Sequence, residues 1–131
     1  MKAEMSPRQP LPPVSEQMKA WSAALAAELR EWAQVTEKSF FGFTALYRGK
    51  TMFGLLPRTR SMFKGNAIAF RNDKLNSASQ ALIARDPRIA AFDKGKKRWF
   101  TFELAGDSDL HEALGFLARA FEAAGKPSKT K

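Results

Sequence analysis

The spacing of apolar residues changes twice along this chain, and the two changes bound what it can fold into. Val14, Met18, Trp21, Leu25, Leu29 and Trp32 recur at steps of three and four, which places them on one stripe of a helix. From Glu37 the pattern turns aromatic and β-favouring, and strand-like segments recur as far as Leu104. The three-and-four spacing then returns at Leu110, Ala113, Leu114, Leu117 and Phe121. An amphipathic helix has one stripe to bury, and strands between two such helices supply the face that covers it. The order predicts an α+β fold: a mostly antiparallel sheet of about four or more strands with the N- and C-terminal helices packed on one face.

Local signals set the expected elements. Ser15 is placed to cap a first helix running to about Val35, and the alanines at 23, 24, 26 and 27 favour helix on its remaining surface. Strands are expected at 38–47 and 51–57, joined as a hairpin around Gly49, with a third at 67–72 after the connection PRTRSMFKGN. A short helix at 74–84 ends at the Asp86-Pro87 step, and residues 87–97 read as a basic loop. A fourth strand, RWFTFEL at 98–104, alternates Trp99, Thr101 and Glu103 with Phe100, Phe102 and Leu104. For the last helix Ser108 is the expected N-cap, Asp109 and Glu112 suit its positive end, and Gly125 with Pro127 closes it. Four prolines make residues 1–13 a flexible leader, residues 14–125 a single domain, and 126–131 a disordered basic tail.

A length of 131 residues with 44% hydrophobic and 27% charged side chains suits one globular domain. The absence of cysteine excludes disulfides, thiol nucleophiles and thiolate metal sites, and fits a cytoplasmic location. The charged, proline-rich start does not read as a signal peptide, and no apolar run approaches a membrane span, so no membrane partner is expected.

The charge is concentrated where the strands are. Residues 37–104 carry fourteen Lys/Arg against five Asp/Glu, which is the whole net charge of +9, whereas the two flanks are each balanced. Charge segregated this way addresses an anionic partner, with DNA the leading candidate and RNA left open. The candidate phosphate-binding residues are Arg48 and Lys50 at the hairpin turn, then Arg58, Arg60 and Lys64 in the next connection. Arg71 closes the third strand, and Lys96, Lys97 and Arg98 lead into the fourth. Met62-Phe63 beside Lys64 can stack on a base or simply anchor the loop. Edge protection and solubility are the plain alternative for such cations. Two other classes stay open: a homodimerising or acidic-protein-binding module, and a small-ligand pocket between sheet and helices.

Phe41-Gly42, Leu46-Tyr47, Gly49 and Phe53 form a pattern that resembles the M-F-G-G-x-G-x-Y-x-x-G-x-x-F signature of the TfoX N-terminal domain, a family related in fold to the YjbR/MmcQ-like proteins. The strand AIAFRND and the ending DLHEALGFLARAFEAAG are similar to the corresponding segments of that group, and the likeness spans about residues 17–125. The chain departs from the pattern at Phe40, Phe43 and Ala45, and Gly49 comes one residue early. The resemblance implies a compact α+β domain, a "double-wing" type of DNA-binding architecture and no enzymatic activity. Fold-level likeness carries no function by itself.

The remaining motifs are bland. The aromatic set Phe40, Phe41, Phe43, Tyr47, Phe53, Phe70, Trp99, Phe100 and Phe102 reads as sheet core rather than a base-stacking platform, because two helices must be covered. Gly49-Lys50-Thr51 lacks the upstream glycine of a phosphate loop. His111 is the only histidine, so neither a zinc site nor any cofactor site is expected. The first helix balances its acidic residues with Lys19 and Arg30, unlike the acidic ridge of frataxin-like iron proteins. No nucleophile–base pair stands out, and no enzyme is expected.

Overall fold

The computed structural model describes residues 13–62, 65–71, 75–91 and 98–125. Helix α1 (Glu16–Arg30) leads into strands β1 (Val35–Phe40), β2 (Phe43–Arg48), β3 (Thr51–Pro57) and β4 (Ala67–Arg71). Helix α2 (Ser77–Ala84), strands β5 (Ile89–Ala91) and β6 (Trp99–Glu103) and helix α3 (Asp109–Ala124) complete the described chain. The strands form one antiparallel sheet in the order β1-β2-β3-β4-β6-β5.

The α+β architecture agrees with the apolar spacing. Met18, Trp21, Leu25 and Leu29 of α1 and Ala113, Leu117 and Phe121 of α3 share one core with Leu46, Phe53, Ile68, Phe70 and Phe102 of the sheet. Both helices therefore lie on the same sheet face. Ser15 caps α1 as expected, its hydroxyl accepting from the Met18 amide at 3.0 Å. The helix stops at Arg30 rather than near Val35, because Gln34 adopts a φ of +76° and turns the chain into β1. At α3, Ser108 makes no side-chain cap, and Asp109 accepts instead from the amides of Ala105 and Gly106 at 2.7 and 3.3 Å.

Two expectations about the sheet are corrected. The segment 38–47, expected as one strand, is two, β1 and β2, reversed through Phe41-Gly42 with φ values of +49° and +90°. Positive φ at both central residues is the type I′ geometry whose twist matches a hairpin. The Gly42 carbonyl fixes that turn, accepting from the amides of Arg58, Thr59 and Arg60 at 3.0, 2.9 and 3.2 Å. Phe41 therefore belongs to a hairpin tip and is 86% exposed, not part of the core. The segment 87–97, expected as a loop, contains β5, which pairs with β6 at Ile89↔Phe102 and Ala90↔Thr101. Three residues are too short a run to reveal a period.

A bulge between β2 and β3 shapes the middle of the sheet. Leu46 faces Gly54 while Tyr47 faces Met52, so Phe53 is the extra residue. Phe53 and Gly54 can then both address the helices. Phe53 meets Phe121 at 5.4 Å in an edge contact, and a Cβ on Gly54 would come within 2.7 Å of the Leu117 side chain. Gly54 lets α3 approach the strand closely. The opposite face holds a smaller cluster of Phe43, Ala45, Leu55 and Ala69, with Met62 from the β3–β4 connection packed into it. Tyr47, Met52 and Trp99 are half-buried at the margin of that cluster.

Candidate nucleic-acid interface

Strand parity sorts the charges into two layers. Residues sharing the face of Ala45 and Leu55 are, by register, Lys38 on β1, Tyr47 on β2, Met52 on β3, Arg71 on β4 and Trp99 on β6. No helix covers this side in the described residues. Lys38 holds its ammonium 5.3 Å from the centre of the Tyr47 ring, and Arg71 stands opposite Trp99. Lys50 projects from the neighbouring β2–β3 turn, and Arg98 precedes Trp99. Tyr47, Met52 and Trp99 thus lie at one end of this face, with Arg71 of β4 between Met52 and Trp99. Three strand spacings, about 14 Å, separate β2 from β6.

The carboxylates lie on the other side. Glu16, Glu28 and Glu31 are on or beside α1, and Glu37 turns toward it, pairing with Arg30 at 3.1 Å. Asp107 accepts from the Trp21 indole at 2.7 Å. Asp86, Asp109 and Glu112 surround Arg88 at 2.8, 3.3 and 2.7 Å, and its guanidinium lies 4.7 Å from the Phe102 ring centre. Hydrogen bonding to Arg88 holds the Asp86 and Glu112 carboxyls below their usual range, and the same bonds hold Arg88 protonated. Among the described residues Glu103 is the one carboxylate on the helix-free side.

The sequence-predicted candidates do not form one patch. Arg58 and Arg60 follow β3 at the end of the sheet that carries the Phe41-Gly42 turn, whereas Lys50, Arg71 and Arg98 occupy the opposite end. The described part of the basic stretch before β6 therefore does not converge with the Arg58 segment. Arg48 is turned the other way. Its guanidinium donates to the Phe121 carbonyl at 3.0 Å and to Gln34 at 2.9 Å, and stacks 4.2 Å from the Phe121 ring centre. It closes the C-terminal end of α3, where a cation suits the helix dipole. Lys64, Lys96 and Lys97 lie outside the described residues, as do residues 1–12 of the leader and the tail from 126.

The residues alone do not reveal three members of this surface. Lys38 does not stand out in the basic pattern, and Tyr47 and Trp99 read as core. The signal for Trp99 is its strand mates: Thr101 and Glu103 share its parity, which marks the less apolar face. Elsewhere, a cleft of about 560 Å³ is lined by Leu82, Arg85, Asp86, Arg88, Glu112 and Phe116, and three of its charged residues, Asp86, Arg88 and Glu112, are already engaged with one another. Among the described residues no group of His, Asp or Glu is arranged to hold a metal ion, and no helix is long and apolar enough to cross a membrane. No protein-family model, curated protein or solved structure matches this chain.

Proposed function

We propose that this protein is a non-enzymatic nucleic-acid-binding domain of TfoX-N/YjbR-like type that uses the helix-free side of its sheet. The observation that carries the reading is the partition of charge. Described carboxylates other than Glu103 collect on the helical layer, whereas Lys38 and Arg71 share the helix-free face with Tyr47 and Trp99, and Lys50 and Arg98 lie at the same end of the sheet. Cations around half-exposed aromatic rings suit a phosphate backbone and the π-faces of bases together. An acidic polypeptide supplies charge but no stacking partner for those rings. Guarding of sheet edges accounts less well for Arg71, which is on β4 between β3 and β6.

The test is a titration of the full chain against labelled single-stranded DNA, duplex DNA and polyglutamate at increasing salt. The reading expects DNA binding whose affinity falls log-linearly with salt, and weaker binding to polyglutamate. Tighter binding to polyglutamate, or no DNA binding at low salt, would replace it with an acidic-partner module.

A further inference from the structure

Phe41 sits where an aromatic residue is out of place. A type I′ turn favours Asn, Asp or Gly at its first central position, because positive φ crowds the Cβ of any other residue. Phe41 holds a φ of +49° there and leaves 86% of its surface in solvent. Its aromatic contact is with Phe40, itself 36% exposed, whose ring meets it edge-on at 4.9 Å and 76°. The tip is firmly held, since three amides from Arg58, Thr59 and Arg60 converge on the Gly42 carbonyl. The stem of Arg60 lies over Gly42, where a Cβ would come within 2.6 Å of its Cγ. Arg58 is exposed beside the same turn, its side chain donating to Ser39 at 3.4 Å.

An exposed ring on a fixed turn beside an arginine-bearing segment, offering a flat face, suits a nucleobase. We infer that Phe41 stacks on an unpaired base of single-stranded nucleic acid, with Arg58 and Arg60 meeting the flanking phosphates. This rests on the nucleic-acid reading above and deepens it, since it names the strand and a second contact point at the far end of the sheet. Single strands are favoured over duplex by a comparison of magnitudes. One ring stacking on one base gains no more than it costs to part a stacked step, so a lone Phe does not repay opening a duplex. A base already unstacked carries no such cost. A lipid surface fits less well, because interfacial binding scales with buried apolar area and this tip offers two rings.

The experiment compares wild type, Phe41→Asn and Phe41→Leu on an oligothymidylate, an abasic strand of equal phosphate count, and phosphatidylserine vesicles. Asn accepts the turn conformation, and Leu keeps apolar bulk without a flat face. Wild type should bind the base-bearing strand at least about tenfold more tightly than the abasic one, and both variants should show a several-fold smaller preference, keeping only the share due to Tyr47 and Trp99, with the same salt slope. Equal preference in wild type and Phe41→Asn would overturn the stacking role and leave the nucleic-acid reading standing. A preference undiminished in Phe41→Leu would also overturn it, in favour of a simple apolar anchor. Phe41-dependent vesicle binding without strand binding would overturn both and assign the tip to lipid.

Discussion

Phe41 holds a left-handed backbone conformation that costs an L residue about 1–2 kcal/mol, and its ring contributes little to the core in return. Phe41→Gly should therefore raise stability by about 0.5–1 kcal/mol, part of the relief being offset by the greater flexibility of Gly in the unfolded chain. A denaturant midpoint that falls instead would show that the ring supports the fold. Leu117 is the opposite case. It is fully buried against Gly54, and Leu117→Ala should cost about 2–5 kcal/mol in the same titration. A loss well below that range would mean the α3 stripe packs more loosely than the core suggests. The two positions also divide what a sequence can reveal. Leu117 is legible from helical spacing, whereas Phe41 resembles core because Phe-Phe-Gly-Phe suits a strand interior as well as a turn. Only the hydrogen bonds to Gly42, from a segment far along the chain, decide between them.

At the scale of elements, Arg88 ties the chain entering β5 to the first turn of α3. Its side chain bonds Asp86, Asp109 and Glu112 and covers the Phe102 ring. Because the Asp86 carboxyl is held below its ordinary value of 3.8, its contribution to stability is present above that pH and is lost as pH falls through the lower folded value. Stability should thus decline on acidification below about pH 4, and Arg88→Met should flatten this part of the profile. An unchanged acid profile in Arg88→Met would show that the cluster does not couple folding to pH. The same variant should speed hydrogen exchange at Ile89–Ala91, since β5 is short and lies at the edge of the sheet. β5 itself is invisible in the sequence, because three residues give no alternation and its pairing is set by distant β6. The long helices and β6 are readable because their periods extend over more residues.

For the molecule as a whole, the basic middle of the sequence becomes a division between two layers. Summed charge along the chain points to an anionic partner but not to which cations share a surface. Arg88 and Arg48 count toward that sum, yet one is surrounded by carboxylates and the other closes α3. Strand order then separates Arg58 and Arg60 from Lys50, Arg71 and Arg98. These assignments depend on register and side-chain direction, which the basic pattern does not encode. The most direct test removes equal charge from each layer and measures the salt dependence of single-strand binding. Lys38 and Arg71 of the helix-free face and Lys50 of the adjoining turn are replaced together by Gln in one variant, and Lys19, Arg85 and Arg119 of the helical layer in another. The sheet-side variant should bind more weakly, with a log–log salt slope shallower by about 2, at about 0.7 for each phosphate left without its cation. The helix-side variant should keep the wild-type slope. Equal changes in both variants would show that net charge alone drives binding, and would contradict a helix-free sheet face as the interface.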